Sequence, residues 1–125
     1  MELNQISGLI LDSAFKVHTA LGPGLLESAY EICLKHELIK QKLKVMTQIE
    51  LPIEYDGINI DVGYRLDMLV EDSVIIELKA VNRLIPIHEA QLLSYLKLSG
   101  KKLGLLINFN VPRLKNGIKR LVNNI

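Results

Sequence analysis

Cysteine is almost absent from this chain, and Cys33 is the only one among its 125 residues. A single cysteine cannot form an internal disulfide and leaves no cysteine framework for structural zinc, so a reducing compartment fits. Aromatic residues are also few, with no Trp, two Phe and four Tyr. We therefore expect no extensive stacking of nucleobases of the kind that single-strand-binding proteins use.

Long apolar runs are missing as well. No stretch approaches the roughly 18 uninterrupted apolar residues that a membrane-spanning helix needs. The opening segment, MELNQISGLILDSAF, has no basic leader, carries Asp12 within its apolar part and shows no small-residue cleavage site. It does not have the pattern of a signal peptide, so we expect a soluble, cytoplasmic protein without a membrane partner.

The remaining composition is that of one globular domain. Hydrophobic residues make up 49% of the chain and charged residues 23%. Because this length suits one core, we predict a single domain over residues 1–125. Gly22-Pro23-Gly24 is neither a P-loop nor a dinucleotide fingerprint, so we expect no organic cofactor and interpret this segment as a turn.

Apolar residues at three- and four-residue steps predict two helices, over residues 4–21 and about 25–41, packed as a hairpin. We expect the second helix to bury a stripe made of Leu26, Tyr30, Cys33, Leu34 and Leu38. Residues 45–55, 58–70 and 74–80 are rich in β-forming residues and are separated by turn signals, which predicts a three-stranded meander.

The last third of the chain predicts one more helix and one or two strands. Residues 87–98 have a helical pattern that ends at Gly100, and the apolar run 103–109 is typical of a buried strand. Asn116-Gly117 is consistent with a turn into a short last strand, 118–122. The predicted element order is therefore ααβββαβ(β).

The hairpin around Asp72 determines where charged side chains meet. Side chains alternate between the two faces of a strand. One face receives Leu66, Met68, Val70, Val74, Ile76 and Leu78, and the other Arg65, Asp67, Leu69, Ile75, Glu77 and Lys79. A loop over 71–73 then places Asp67 opposite Glu77 and Arg65 opposite Lys79. Directly opposed residues have Cβ atoms about 4.5–5.5 Å apart.

Two carboxylates at that spacing repel each other in a partly buried site unless a cation lies between them. Mg²⁺ is usually held by one or two carboxylates, and water and phosphate fill its other positions. Asp67, Glu77 and a backbone carbonyl such as that of Leu78 can supply such a half-shell. Lys79 shares their face, where an ammonium can orient or help deprotonate a water and offset charge on a phosphate.

A purely structural interpretation stays open at this point. Composition alone yields about one acid-x-Lys tripeptide in such a chain, and Glu77-Leu78-Lys79 is the only one here. The same side chains can instead form an exposed cross-strand salt bridge that holds no metal.

Several motifs occur in a recognisable order along nearly the whole chain. Gly24-Leu25-Leu26-Glu27-Ser28-Ala29-Tyr30 matches the signature GxxExxY. Arg65-Leu66-Asp67, Glu77-Leu78-Lys79 and Gln91-Leu92-Leu93-Ser94-Tyr95 follow, in the pattern D…(D/E)xK…QxxxY. The chain thus resembles the GxxExxY family of the PD-(D/E)XK nuclease superfamily.

This resemblance implies an α/β fold, bordering on α+β, with a restriction-endonuclease-like core in which helices flank a central mixed β-sheet. It also implies hydrolysis of phosphodiester bonds with Mg²⁺, for which Mn²⁺ can substitute. Carried over residue by residue, the resemblance makes Asp67 and Glu77 metal ligands and Lys79 the catalytic lysine. Glu27 becomes the acid of the first motif, and Gln91 and Tyr95 become a supporting pair.

Physical chemistry alone leaves other roles open for the helical residues of these motifs. Glu27 is favourable in a first helical turn because of the helix dipole, and Tyr30 can be a core residue. Gln91 and Tyr95 can belong to a polar surface stripe, or they can position a water or a phosphate. His88, one turn earlier, is a candidate for phosphate contact only.

Charge is unevenly distributed although the formal net charge is only +1. Residues 90–125 contain no acidic side chain, whereas the first 89 residues contain all fourteen. This separation suits a protein that holds a metal with one part and a phosphate backbone with the other. The basic residues predicted to contact nucleic acid are Lys97, Lys101, Lys102, Arg113, Lys115, Lys119 and Arg120.

Three functions are therefore considered. The first is a metal-dependent nuclease acting on nucleic acid, with DNA favoured over RNA. The second is a non-catalytic nucleic-acid-binding or assembly module that keeps the fold. The third is a structural homodimer joined through the oppositely charged parts, and dimerisation is also compatible with the first two.

Overall fold

The computed structural model of the chain describes residues 1–61 and 63–124. Its elements follow one another as α1 Leu3–Leu21, α2 Glu27–Lys40, β1 Val45–Glu50, β2 Ile53–Tyr55, β3 Ile58–Ile60, β4 Arg65–Val70, β5 Val74–Lys79, α3 Pro86–Ser99, β6 Leu103–Asn108, a 3₁₀-helix Leu114–Gly117 and β7 Ile118–Val122. In the described ranges, no helix combines the length and apolar character that crossing a bilayer requires.

Five strands form a mixed sheet in the order β1-β4-β5-β6-β7. All neighbouring pairs are antiparallel except β5 and β6, which run parallel and are connected through α3. A parallel pair needs such a crossover because its strands start at the same end of the sheet. The predicted α/β class, with a central mixed sheet and flanking helices, is confirmed, as is the last strand at 118–122.

Helices cover both faces of this sheet. On one face, α1 and α2 pack against Met68, Ile76 and Leu105. On the other face, α3 packs against Leu69, Ile75 and Leu106. Because β6 is covered from both sides, all six of its residues are buried, which explains its nearly continuous apolar sequence.

The predicted hairpin of α1 and α2 is present. Tyr30, Leu34 and Leu38 are buried as expected, and Cys33 is half-buried. The prediction for Leu26 is wrong, since its side chain is 77% exposed. Leu26 is the N-cap of α2 and has extended backbone angles, so it lies outside the helical stripe.

The predicted three-stranded meander is present as the antiparallel strands β1, β4 and β5, but its first two strands are shorter than predicted. Its first strand is interrupted at Leu51-Pro52 and its second between β3 and β4, so β2 and β3 form a separate two-stranded ribbon. Pro52 cannot donate to a strand ladder, and Gly63 has a φ of +75°. These two backbone features end the regular pairing on either side.

The pairing of β4 with β5 agrees with the predicted register through Val70–Val74, Leu69–Ile75 and Met68–Ile76. The predicted opposition of Arg65 and Lys79 is wrong, because the ladder between the two strands ends at Met68–Ile76. Leu66 also departs from its predicted face and packs in the α3-side cluster with Leu51 and Leu69. Both differences concern residues that precede Asp67, beyond the last regular pair of the ladder.

Gly117 ends the 3₁₀-helix and packs closely against the end of β6. This close contact predicts that a larger side chain at residue 117 destabilises the fold. A Cβ atom at residue 117 would overlap the backbone oxygen of Asn108 and lie 3.1 Å from a methyl carbon of Val111. We expect Gly117→Ala to lower the free energy of unfolding by about 1–3 kcal/mol, the usual cost of overpacking. Urea denaturation measures this change.

Gly8→Ala is the matched control, because Gly8 is an exposed residue of α1 with open space around it. Alanine has the higher helix propensity, so this variant should be unchanged or more stable by up to about 1 kcal/mol. Equal midpoints for Gly117→Ala and wild type would contradict the proposed close contact.

Candidate active site

Two carboxylates are inserted where β4 and β5 separate. The backbone N–H of Asp67 donates to Glu77 Oε1 at 3.2 Å, and the backbone N–H of Leu78 donates to Asp67 Oδ2 at 2.8 Å. These side chains thus satisfy backbone groups that the ladder leaves unpaired at this point. The arrangement holds each carboxyl group against the backbone of the other's strand.

Burial distinguishes the two carboxyl groups. Glu77 is 5% exposed, whereas Asp67 is half-buried. Burial, followed by the negative charge of Asp67, raises the pKa of Glu77 from 4.5 to about 9. Neither carboxylate forms a salt bridge within the described residues, so the pair keeps a proton at neutral pH unless a cation binds.

The Leu78 carbonyl lies on the same edge of β5 as Asp67. The N–H and C=O of one strand residue point to the same neighbouring strand. Since the Leu78 N–H reaches the Asp67 carboxylate, the Leu78 carbonyl faces that way too. In agreement, the carbonyl of the next residue, Lys79, points to the opposite side and accepts the Phe109 N–H at 3.0 Å.

Lys79 and Glu27 complete the charged group. Lys79 is half-buried at the end of β5, and its positive charge lowers the pKa of Glu77 and of Glu27. Glu27 is the first residue of α2. Desolvation and then the charge of Asp67 raise its pKa above the usual range, so α2 brings this acid into electrostatic contact with the strand carboxylates.

Tyr30 anchors the turn that precedes Glu27. Its ring is fully buried and stacks on Phe109 with a centroid distance of 4.5 Å. Its hydroxyl donates to the Gly22 carbonyl at 2.6 Å and accepts the Leu25 N–H at 3.2 Å. This Tyr, three residues after Glu27, therefore ties the start of α2 to the end of α1.

Removing that hydroxyl should weaken the fold. We expect Tyr30→Phe to lower the free energy of unfolding by about 1–3 kcal/mol, because two partly buried hydrogen bonds are lost and each contributes about 0.5–1.5 kcal/mol. Tyr55→Phe, at a side chain that is 70% exposed, should leave the denaturation midpoint unchanged. A midpoint for Tyr30→Phe as high as that of Tyr55→Phe would contradict the anchoring role.

Gln91 and Tyr95 lie side by side on α3, where Gln91 Nε2 donates to the Tyr95 hydroxyl at 2.9 Å. Burial and then the negative charge of Glu77 raise the pKa of Tyr95, so the pair borders the carboxylates. His88, the candidate for phosphate contact, makes a local hydrogen bond in the structure. Its Nδ1 accepts the backbone N–H of Ile85 at 3.1 Å and thereby caps α3.

Asn108 was not predicted from the sequence and holds the loop that follows Lys79. Its side chain is 1% exposed, and its Oδ1 accepts the Val81 N–H at 3.1 Å while its Nδ2 donates to the Val81 carbonyl at 2.9 Å. A signal was present, because an amide that ends a buried apolar strand must find partners.

The seven basic residues after Ala90 do not form one surface. Lys97, Lys101 and Lys102 are located where α3 ends and β6 begins, which is the end of the sheet opposite the carboxylates. Lys101 pairs there with Asp72 at 3.3 Å. Arg113 is near the other end, in the segment that follows β6.

The remaining three have individual surroundings. Lys115 is exposed on the 3₁₀-helix, at the same end of the sheet as the carboxylates. Lys119 pairs with Glu89 at 3.6 Å. Arg120 donates to Ser7 Oγ at 3.2 Å and to Asn4 Oδ1 at 2.9 Å. The separation of charge along the chain therefore does not produce one basic surface, because these residues make separate contacts at different places in the fold.

The donor set fits a divalent cation. Two adjacent carboxylates, one of them buried without a positive partner, and a carbonyl on the same edge offer hard oxygen ligands. Across residues 1–61 and 63–124, no three His, Cys, Asp or Glu side chains converge on one point. Glu27 is thus a neighbour of the two carboxylates, and a divalent cation bound by them would leave positions open for water.

The chain matches a known protein family over most of its length. A family model for the PD-(D/E)XK nuclease superfamily matches residues 4–121. The five-stranded mixed sheet and three helices are consistent with the restriction-endonuclease-like fold. No curated protein and no solved structure matches the chain.

Proposed function

Because the chain belongs to the PD-(D/E)XK nuclease superfamily, we propose that it is a metal-dependent nuclease that hydrolyses phosphodiester bonds, with DNA favoured over RNA. The observation that carries this proposal is the pairing of half-buried Asp67 with buried Glu77 near Lys79. The sequence Gly24–Tyr30 further supports placement in the GxxExxY family of this superfamily. We propose residues 1–125 as a single nuclease domain.

Asp67, Glu77 and the Leu78 carbonyl would hold the metal, Mg²⁺ or its substitute Mn²⁺. When bound, such an ion supplies Lewis-acid stabilisation of the charge on the phosphate. Lys79 stabilises the same developing charge from the protein side and orients the attacking water through its ammonium hydrogens. Its position two residues after Glu77 puts both groups at one end of β5.

The helices contribute groups that orient rather than ligate. Gln91 and Tyr95 are fixed to each other and present an amide and a phenol to a water or a phosphate oxygen. Glu27 places an acidic group on the α2 side of the site, near Asp67 and Lys79. Of the basic residues, Arg113 and Lys115 are proposed to contact phosphates near the cleaved bond, since they lie at the same end of the sheet.

The deciding experiment incubates the protein with plasmid, linear duplex, single-stranded DNA and RNA, each with Mg²⁺, Mn²⁺ or chelator. We expect cleavage with either metal and none with chelator. Absence of cleavage on every substrate would contradict the nuclease proposal. Binding without any cleavage would favour the second candidate, a non-catalytic nucleic-acid-binding module.

A further inference from the structure

A groove of about 540 Å³ opens along α3. Ile53 and Tyr64 line one side of it, and Ile87, Gln91, Tyr95 and Leu98 of α3 line the other. Its surface is mainly apolar. Two of its apolar side chains are exposed to solvent, Ile87 at 64% and Leu98 at 45%. Exposed apolar side chains clustered around a concavity mark a binding surface more often than a solvated one.

The groove and the candidate active site share two side chains. Gln91 and Tyr95 belong to the groove wall, and they are hydrogen-bonded to each other at 2.9 Å. Tyr95 also packs in one cluster with Leu69 and Ile75, which lie two residues from Asp67 on β4 and from Glu77 on β5. A strand whose phosphate is held at the carboxylates would therefore have its neighbouring nucleotide at the groove.

Tyr64 gives the groove an aromatic surface. Its side chain is 44% exposed, and its ring is tilted by 59° from that of Tyr95 with a centroid distance of 6.3 Å. The two rings thus form a corner, with one ring still open to solvent. Nucleobases stack on such rings through their flat faces, largely independently of base identity.

The chemistry of the lining selects among forms of nucleic acid. The apolar surfaces of a nucleic acid are the faces of its bases, and a continuous duplex hides them by stacking. A duplex presents phosphates and sugars, and contact with these polar groups gives little hydrophobic stabilisation to apolar side chains such as Ile87 and Leu98. Only a base that has left the stack can cover this groove.

We propose that the groove binds an unpaired nucleotide of the strand to be cleaved, so that the substrate carries a single-stranded end or frayed region next to the scissile phosphate. This inference rests on the proposed nuclease function and specifies its substrate class. Because its lining is apolar, the groove prefers an unpaired nucleotide over a paired one, whatever the identity of the base. The few aromatic residues still exclude a long single-strand-binding surface, because one ring serves one base.

The test measures binding of labelled DNA by fluorescence anisotropy, with chelator present to prevent cleavage. The probes are a duplex with a single-stranded overhang and the same duplex with blunt ends. We expect tighter binding of the overhang probe by the wild-type protein. Tyr64→Ala should weaken that binding roughly tenfold to a hundredfold, Tyr64→Phe should preserve it, and blunt-duplex binding should not change.

Two further variants guard against indirect effects. Ile87→Ser trims an exposed groove residue without affecting the core, and it should weaken overhang binding severalfold. Tyr55→Ala removes an exposed tyrosine that does not line the groove and should behave as wild type. A melting temperature of Tyr64→Ala equal to that of the wild type establishes that the variant is folded.

Specific outcomes overturn the inference. Unchanged overhang binding by folded Tyr64→Ala and Ile87→Ser would do so, as would equal losses on both probes. A loss of self-association in Tyr64→Ala, with DNA affinity intact, would instead assign the groove to a protein contact. Cleavage with no preference for overhangs defeats this inference alone, whereas Tyr64-dependent overhang binding without cleavage under any metal defeats only the nuclease proposal.

Discussion

Replacing Lys79 with alanine should lower the rate of Mg²⁺-dependent DNA cleavage by about 10²- to 10³-fold, the usual effect of losing one group that stabilises transition-state charge. The half-buried ammonium lies at the end of β5 and acts electrostatically on Glu77 and Glu27. Asp67→Ala should reduce cleavage at least as strongly, because it removes a proposed metal ligand. Single-turnover cleavage of a labelled DNA substrate measures both rates.

Lys44→Ala provides the matched control for the loss of one lysine. Lys44 is exposed, and its backbone contacts Glu71 in the β4–β5 turn, at the end of the sheet away from the carboxylates. Its cleavage rate should equal that of the wild type. Equal residual cleavage in wild type, Lys79→Ala and Asp67→Ala would point to a contaminating nuclease and refute the proposed site.

Without metal, the protein should lose stability as the pH rises. The pKa of Glu77 is raised from 4.5 to about 9 in the folded state, mainly by burial and then by Asp67. The folded protein therefore binds this proton more tightly than the unfolded chain does. The contribution to stability is complete below about pH 4.5 and is lost as the pH rises through about 9. At pH 7 the loss is on the order of 3 kcal/mol.

Glu77→Gln tests this expectation, since an amide of similar shape does not titrate. Urea denaturation in chelator should give a falling stability for the wild type between about pH 5 and about pH 9, and a flatter profile for the variant. Added Mg²⁺ should raise the wild-type stability at alkaline pH, because a bound cation replaces the shared proton, and Glu77→Gln should respond much less. Identical pH profiles for the two proteins would show that Glu77 is not the controlling group.

The central carboxylate pair was predictable because it depends on a single hairpin. The length of the loop over 71–73 sets the register of β4 and β5, and the period of two sets the faces. The same arithmetic failed for Arg65 and Leu66. It assumes a ladder that continues, whereas the side chains of Asp67 and Glu77 occupy the backbone hydrogen-bonding positions at which the strands separate.

The groups contributed by helices were not predictable from spacing alone. The sequence places Glu27 on one helix and Tyr95 on another, far apart along the chain. The approach of Glu27 to Asp67 and of Tyr95 to Glu77 depends on how α2 and α3 pack on opposite faces of the sheet. The groove at Tyr64 likewise requires the β2–β3 ribbon to separate from the main sheet, which no local pattern indicated.

By itself, the sequence determined the main helices and strands, their order and the proximity of Asp67 and Glu77. Those features follow from apolar periodicity and turn length, which are local properties of the chain. Only the tertiary structure decided that Glu77 is buried, that Glu27 lies near Asp67 and Tyr95 near Glu77, and that the basic residues after Ala90 are dispersed. Burial and proximity across the sheet arise from long-range packing, so residue order cannot specify them.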